Sequence, residues 1–202
     1  MPLAACDWIP IYPSTDGIAP HKTHSLFLLR NNILTDQWKR VNFPSSNVTV
    51  IQLSRERGST LILNIYNDCN KNDTIHQLEA FNLATKPLPT NASNDMDTTI
   101  WLGDFNRHHP HWDNPNDVRL FTKQATDDTE VLINAIAEAG LDMALPPRIP
   151  THLHNVTKKW MRLDHVFITE NVMESINACY VLTRLTAILL RCEVNGHMEL
   201  HD

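Results

Sequence analysis

Hydrophobic and polar residues alternate along this chain in short segments that are typical of strands. Several runs of apolar or β-branched residues, bounded by polar residues, have the length of strands buried in a sheet. These predicted strands are Ser25–Leu29, Val48–Leu53, Thr60–Tyr66, Thr98–Leu102 and Leu163–Thr169. The sequence therefore predicts a sheet whose strands come from most of the chain.

Two longer segments have the apolar spacing of helices and lie between the predicted strands. One helix is predicted over Asp73–Ala84, and a second begins at Asp127 and ends before Gly140, a typical C-cap. This alternation of strands and helices predicts an α/β fold. Asn171–Asn177 is predicted to be a short helical turn. Val181–Leu190 is predicted to be a closing helix or strand, or else a helix that binds a partner.

Composition and charge narrow the class of protein. The chain has 202 residues, of which 42% are hydrophobic and 20% charged, and its net charge is −6. One globular domain is expected, without the basic surplus of many nucleic-acid binders. The four cysteines have no regular spacing, which indicates reduced thiols inside a cell. The apolar run Val181–Leu190 is about half a membrane span, so no membrane segment is expected.

Candidate chemistry appears where one predicted strand ends, in the sequence Gly103-Asp104-Phe105-Asn106. Residues two positions apart on an extended chain face the same side, so the carboxylate of Asp104 and the amide of Asn106 are expected to converge. Such a pair can take a proton from water and orient that water or a phosphate oxygen. Considered without its neighbours, this tetrapeptide is also typical of a turn.

The wider segment Gly103–Asp113 (GDFNRHHPHWD) resembles the central motif of the endonuclease/exonuclease/phosphatase superfamily, specifically the endonuclease domains of non-LTR retrotransposons. Three more segments match that family in order: Asn64–Asp68, Pro150-Thr151 and Arg162–Phe167. The resemblance implies a deoxyribonuclease I-like, four-layer α/β sandwich. Residues 1–170 are expected to form this domain without its first strands, and residues 171–202 to form a divergent tail.

The resemblance also implies an activity, which is magnesium-dependent hydrolysis of DNA in the nucleus by a domain associated with a reverse transcriptase. By resemblance, Asp104 polarises the attacking water, Asn106 holds the water or the phosphate, and Tyr66 contacts the phosphate. Asp164 is expected to orient a catalytic histidine. Arg107 and Asn67 are candidates for phosphate contact, since arginine can bridge phosphate oxygens; the alternative is that both are solvent-exposed loop residues.

The chain departs from the family pattern in two places. The resemblance places the main magnesium ligand on an early glutamate, but no glutamate precedes Glu56, so no metal ligand is assigned. No Asp-His pair follows Asp164-His165 to close the site. The alternative is that Asp164-His165 is itself the closing pair. A degenerate copy with weak or no activity is therefore expected. The alternatives are a non-enzymatic remnant with at most weak DNA binding, and a phosphatase of the same superfamily.

Two aromatic features have alternative interpretations. The histidines His108, His109 and His111 suggest zinc, but neighbours on a loop seldom converge on one ion, so a loop without metal is preferred. Trp101, Trp112 and Trp160 can stack on bases. We expect instead that Trp101 packs in the core and Trp112 supports the loop. Without its first and last strands, the sheet is expected to have open edges and to aggregate.

Overall fold

The computed structural model describes residues 7–14, 22–54, 58–85, 97–154, 156–182 and 189–194. The strands before the second helix are β1 (Trp8–Ile11), β2 (Phe27–Arg30), β3 (Trp38–Val41), β4 (Val48–Ser54), β5 (Ser59–Tyr66) and β6 (Thr98–Asp104). The later strands are β7 (Leu141–Met143), β8 (His152–Leu153), β9 (Trp160–Met161), β10 (Asp164–Thr169), β11 (Ile176–Leu182) and β12 (Leu189–Val194). The α-helices are α1 (Asp73–Thr85) and α2 (Lys123–Ala139), and 3₁₀ turns cover Val118–Leu120 and Glu170–Ser175.

A six-stranded sheet forms the centre of the described chain, in the order β3-β4-β5-β6-β10-β7. The pair β5 and β6 is parallel, and the other neighbours are antiparallel. Three separate two-stranded sheets, β1-β2, β8-β9 and β11-β12, complete the described strands. The α/β class predicted from the alternation of strands and helices is confirmed.

Both α-helices cover one face of the six-stranded sheet. Their apolar residues, among them Leu78 and Leu132, pack against Leu63, Trp101 and Phe167 of the sheet in one buried cluster. Trp101 is only 2% exposed, which confirms the prediction that it packs in the core. This cluster is the main core of the molecule, and it fixes the sheet against the helices.

The opposite face of the sheet is covered by two smaller apolar clusters. Ile11 and Leu29 of the β1-β2 pair pack on Ile51, with Ile62 beside them. Farther along the sheet, a second cluster forms around Leu145, which precedes β8. A helix layer, the central sheet and a partial second sheet are thus present in the described residues, as expected for an α/β sandwich.

Gly103 allows β6 to lie close to β5 just before the strand ends. Its φ is +129°, and a Cβ atom at this position would lie 2.1 Å from the carbonyl oxygen of Ile65. An L-residue side chain therefore has neither the space nor the backbone conformation that it needs here. The glycine of the motif sets the spacing of the strands that carry Tyr66 and Asp104.

Helix α2 begins one turn before the predicted start at Asp127. The Thr122 side chain accepts a hydrogen bond from the Ala125 amide at 3.2 Å, so the helix is capped there. At the other end, Gly140 has a left-handed conformation with φ 64°, which confirms the predicted C-cap. The threonine cap explains the earlier start, because it satisfies a backbone amide of the first helical turn. The spacing of apolar residues gives no indication of such a cap.

The end of the chain differs in part from the prediction. The predicted turn at Asn171–Asn177 is a 3₁₀ turn over Glu170–Ser175, followed directly by β11. The predicted segment Val181–Leu190 contains the end of β11 and the start of β12, and its residues 183–188 lie outside the described ones. The ends of this segment therefore belong to strands that pair antiparallel.

Candidate active site

Three of the residues named by the sequence lie side by side across neighbouring strands. Tyr66 of β5 is paired in register with Asp104 of β6, and Asp104 is paired with Asp164 of β10. Register partners on neighbouring strands of a sheet lie about 5 Å apart. We call Tyr66, Asp104 and Asp164 the active-site row. The fold thus brings together residues that are far apart in the sequence.

The active-site row lies on the sheet face opposite the helices. Side chains alternate along a strand, so Asp104 shares its face with Leu102, which packs beside the Leu145 cluster, and not with the core residue Trp101. Asp164 likewise shares its face with Val166 of the same cluster. The row is therefore at the end of the sheet, on the face that the partial second sheet covers.

The carboxyl group of Asp104 has an unusual charge environment. Burial and, second, the neighbouring charge of Asp164 raise the pKa of Asp104 to about 6, although hydrogen bonding to Asn106 opposes the rise. Burial also raises the pKa of Asp164, while Thr151, His152 and Arg162 lower it. Asp104 is thus the member of the pair that takes a proton as the pH falls towards 6.

Asn106 reaches the site through a turn and not along an extended strand, which corrects the geometry expected from the sequence. Its φ is 49°, in the left-handed region. Its backbone amide donates to the Asp104 carboxylate at 3.0 Å, and its side-chain amide donates to the Asn67 carbonyl at 2.9 Å. Asn106 is therefore held against Asp104 by two fixed hydrogen bonds, and its amide oxygen is left as an acceptor.

Asn67 is a buried residue, so the alternative that it is a solvent-exposed loop residue is wrong. Its side chain is 0% exposed and donates to the carbonyls of Phe105 and Asp68. Its backbone amide also donates to the Asp104 carbonyl at 2.8 Å. Asn67 thus holds the ends of β5 and β6 together, a position that does not favour the predicted contact with phosphate.

Arg107 is also buried, which excludes the same alternative for it. The residue is 3% exposed, and its guanidinium donates to the carbonyls of Asp68, Cys69, Lys71 and Asn106 and to the side chain of Asn72. Burial lowers the pKa of this guanidinium. Arg107 therefore organises the loop between β5 and α1, and little of it is open to a phosphate oxygen.

Thr151 fixes the start of β10, where Asp164 lies. Its hydroxyl oxygen accepts hydrogen bonds from the amides of Leu163 at 3.0 Å and Asp164 at 2.9 Å. Thr151 itself is fully buried. The sequence identified this threonine as part of a matching loop but not as a residue of the site, because the hydrogen bond joins positions that only the fold brings together.

His165 is excluded as the histidine of a closing Asp-His pair at the active-site row. It follows Asp164 on β10 and therefore points to the other face, where it is 0% exposed and packs against Phe105, Trp112 and Phe167. Burial lowers the pKa of His165 far below its ordinary value, so the ring is neutral. Its Nδ1 accepts from buried Arg162, and its role is in the core.

The loop after Asn106 is held by buried contacts. Trp112 is 3% exposed and donates from its indole to the Arg107 carbonyl at 3.2 Å, which confirms that it supports the loop. His108 contacts the carboxylate of Asp113, whereas the His109 ring accepts from the amide of His111. The rings of His109 and His111 lie 4.6 Å apart and contact each other, whereas His108 is held by Asp113.

Tyr66 is half-buried at the open end of the row. Burial and, to a lesser degree, the carboxylates of Asp104 and Asp68 raise the pKa of the Tyr66 phenol, so it stays protonated near neutral pH. Its ring lies 5.0 Å from the ring of His24. A protonated phenol beside two carboxylates is suited to donate a hydrogen bond to a phosphate oxygen.

The residues of the site do not form a magnesium site of the kind implied by the resemblance. In the residues described here, no group of three His, Cys, Asp or Glu side chains converges to hold a metal ion. Among the described residues, the site offers the carboxylates of Asp104 and Asp164 and the amide oxygen of Asn106 as oxygen donors, without the early glutamate that the resemblance implies.

A family model described as endonuclease-reverse transcriptase matches residues 60–186. This region contains the whole active-site row, Asn106 and both helices. The chain belongs to the endonuclease-reverse transcriptase family. The family resemblance stated from the sequence is thereby confirmed, and a search of curated protein sequences found no match.

Solved structures with a similar fold include nucleases of three types. The endonuclease domain of TRAS1, a telomere-specific non-LTR retrotransposon, superposes with a TM-score of 0.69 at 13% identity, over 95% of this chain and 82% of that one. The AP endonuclease LMAP from Leishmania major gives 0.71 at 9% identity, over 95% and 71%. The 3'-5' exonuclease NExo from Neisseria meningitidis gives 0.54 at 14% identity, over 76% and 66%. The fold is thus of the retrotransposon and AP endonuclease type, and the expected deoxyribonuclease I-like fold is confirmed.

None of the helices in the described residues has both the length and the apolar character that crossing a membrane requires.

Proposed function

We propose that this chain is a DNA endonuclease domain of a retrotransposon that retains part of its phosphodiester-cleaving site and has weak activity or none. The observation that carries the proposal is the active-site row, Tyr66, Asp104 and Asp164, in register across three strands with Asn106 held beside it. This row places a proton donor, a general base and an amide at one end of the sheet.

Each residue has a role that its contacts support. Above a pH of about 6, the Asp104 carboxylate is ionised and is able to take a proton from the attacking water. Asn106, whose amide hydrogens are engaged, presents its oxygen to that water. Tyr66 donates to a phosphate oxygen, and Asp164 supplies negative charge beside Asp104. Asn67 and Arg107 position the loops and do not contact the phosphate.

Magnesium would neutralise charge on the phosphate in a complete site of this kind. The chain has no glutamate before Glu56 to act as the main ligand that the resemblance implies, and this departure is the reason that we propose weak or no activity. Losing several kcal/mol of transition-state stabilisation is enough to slow a reaction by about three orders of magnitude. The missing metal ligand also favours the second candidate function, a non-enzymatic remnant that binds DNA weakly.

The experiment that tests the proposal is nicking of supercoiled plasmid by the purified chain with magnesium, beside Asp104→Ala and an EDTA blank. We expect slow nicking that Asp104→Ala abolishes. If the chain is folded and nicks plasmid no faster than Asp104→Ala, the result supports the non-enzymatic remnant. Fast nicking that requires both Asp104 and magnesium contradicts the weak site, because it shows that the site binds a working metal without the early glutamate.

The predicted nuclear location and the predicted domain boundary are also part of this proposal. Nuclear location follows only from the proposed DNA substrate. The division into a domain over residues 1–170 and a tail over residues 171–202 stays a prediction, and the family match reaches residue 186, past that boundary.

A further inference from the structure

Tyr66 is contacted by a residue that lies outside the active-site row. The ring of His24, which precedes β2, lies 5.0 Å from the Tyr66 ring, and the two rings are tilted by 50°. Ring pairs at this separation attract each other in tilted arrangements. His24 is exposed, so its ring adds little to the hydrophobic core. The contact therefore belongs to the edge of the site.

A hydrogen bond to Asn47 holds the His24 ring. Its Nδ1 atom lies 2.8 Å from the side-chain oxygen of Asn47, whose side-chain nitrogen donates to the Thr74 hydroxyl at 3.3 Å. Because the nitrogen of this amide faces Thr74, its oxygen faces His24, and Nδ1 of the ring carries the hydrogen. The backbone amide of His24 also donates to the Ser46 carbonyl at 3.2 Å. Ring and backbone of His24 are thus both tied to the segment before β4.

The same asparagine holds the backbone of Tyr66. The Tyr66 amide donates to the Asn47 carbonyl at 2.8 Å, where β5 ends. Tyr66, Asn47 and His24 therefore make a closed set of three contacts: backbone to backbone, side chain to side chain, and ring to ring. In a closed set, each contact restrains the other two. We call His24 and Asn47 the tyrosine clamp.

The phenol of Tyr66 benefits from such a restraint. Tyr66 is half-buried at the open end of the active-site row, and a tyrosine with an open side can rotate about χ1. Such a rotation would carry the hydroxyl away from its place beside Asp104. A reacting group that is displaced by about 1 Å can lose about a hundredfold in rate. Holding this ring therefore matters more for the reaction than for the stability of the chain.

We propose that His24 is a positioning residue for Tyr66, whose ring, held by Asn47, keeps the phenol in place to donate to a phosphate oxygen. The inference rests on the proposed function and deepens it. His24 acts on the reaction through Tyr66 and does not itself contact the substrate. Its ring supplies the packing against Tyr66, and Asn47 supplies the orientation of that ring.

The first test measures the Tyr66 side chain and does not depend on activity. Three-bond NMR couplings should report one χ1 rotamer for Tyr66 in the parent chain and averaging between rotamers in His24→Ala and Asn47→Ala. Asn47→Ala keeps the backbone hydrogen bond to Tyr66 and removes only the side chain that holds the ring. Averaging in the parent chain, or a single rotamer in a folded His24→Ala chain, refutes the tyrosine clamp.

His76→Ala is the matched control for this measurement. His76 is also an exposed histidine with a hydrogen-bonded ring, since its Nδ1 lies 2.9 Å from the Glu79 carboxylate on α1. This change should leave the Tyr66 couplings as they are in the parent chain. If His76→Ala causes the same averaging as His24→Ala, the effect is not specific to the tyrosine clamp, and the proposal is overturned.

The nicking assay separates the packing of the ring from its hydrogen bond. His24→Phe keeps a ring against Tyr66, whereas His24→Asn keeps a donor for Asn47 but has no ring. If the parent chain nicks plasmid through Asp104, His24→Ala and His24→Asn should lower the maximal rate about tenfold, with KM changed by less than about twofold. His24→Phe should lower the rate by less than about threefold. Recovery by His24→Asn and not by His24→Phe would overturn the proposal.

A double variant shows whether His24 acts through Tyr66. The hydroxyl is absent in Tyr66→Phe, so adding His24→Ala to that chain should cause no further loss of rate. A further loss of the same size would mean that His24 acts on the substrate directly, against the positioning role. If the parent chain does not nick, endonuclease activity is rejected, and the NMR couplings still decide whether the tyrosine clamp holds Tyr66.

Discussion

Within this site, burial and neighbouring charge act most strongly on Asp104. Its carboxyl group is partly buried, next to Asp164, and its pKa is raised from 3.8 to about 6. A raised carboxyl pKa in the folded state means that the neutral acid fits the site better than the ion. The ionised group that the proposed reaction uses therefore costs the fold stability.

The first prediction is that Asp104→Asn stabilises the chain above pH 6. Between about pH 4 and pH 6 the folded chain keeps a proton that the unfolded chain has lost, so stability falls as the pH rises through this window. With solvent screening, the full effect is about 1–2 kcal/mol. Urea unfolding at about pH 8 should show this gain for the variant. At about pH 4 the two curves should coincide, and an equal gain at both pH values would contradict the mechanism.

The same ionisation predicts how nicking depends on pH. Any activity that requires the Asp104 carboxylate should rise with pH through about 6 and then level off. The measurement is the initial nicking rate across this range at constant ionic strength. A rate that is flat through this window would show that Asp104 is not the base.

Substitutions of Arg107 are predicted to lower the stability of the chain, because the role of this residue is structural. Arg107→Met leaves the carbonyls of the β5–α1 loop without their donor and should destabilise the chain by about 3 kcal/mol. Arg107→Lys keeps the charge but not the planar fork, so we expect a loss nearly as large. Urea unfolding of both variants provides the measurement. If Arg107→Lys has parental stability but weakened DNA binding, the residue contacts phosphate as the sequence first indicated.

At the scale of elements, Gly103 sets how closely β6 lies to β5. Gly103→Ala adds a methyl group against the Ile65 carbonyl and forces an unfavourable φ, so it should cost about 2–4 kcal/mol. Gly140→Ala is the matched control, since it also has positive φ but nothing within 4 Å, and it should cost only about 1 kcal/mol. Thermal unfolding of the two variants tests this order. Equal losses would mean that backbone conformation alone matters at Gly103.

The elements that the sequence predicted well are those with many apolar residues in a regular order. The strands at Val48–Leu53 and Thr60–Tyr66 and both α-helices were found within a few residues of their predicted bounds. The short strands β1, β3 and β7 were not predicted, because four residues or fewer carry no clear period. Their pairing depends on contacts with distant segments.

The site was predictable in its residues but not in its geometry. The motif named Asp104 and Asn106, yet the left-handed turn at Asn106 and the burial of Arg107 depend on the β5–α1 loop. The role of Thr151 had no signal beyond its match to the family, since its hydrogen bonds to the amides of Leu163 and Asp164 join positions that only the fold brings together.

At the scale of the whole molecule, the described residues leave an apolar surface uncovered on the β1-β2 pair. The β1-β2 pair buries Ile11 and Leu29, but its outer side exposes Pro10 and Leu28, which are partners in register. Leu28 is 57% exposed. Two-stranded sheets with an open edge and an apolar outer face tend to pair with other chains. This surface gives the expected aggregation a definite location.

We predict that Leu28→Lys reduces self-association of the purified chain without lowering its melting temperature. A charge on the outer face opposes pairing between copies, and the replaced side chain contributes little to the core. Light scattering after size-exclusion chromatography, over a range of concentrations, is the measurement. Leu83→Lys, on an exposed position of α1, is the control and should leave association unchanged. Equal effects of both changes would show that net charge, and not this surface, governs association.

The register of the active-site row makes it sensitive to the length of three strands. Tyr66, Asp104 and Asp164 meet because each occupies the same level of its own strand. Deleting one codon within β5, β6 or β10 would turn the corresponding side chain to the helix-covered face, although the sheet could still form. Among related genomic copies, an intact motif with such a deletion beside it would therefore mark a copy that keeps the fold and has lost the site.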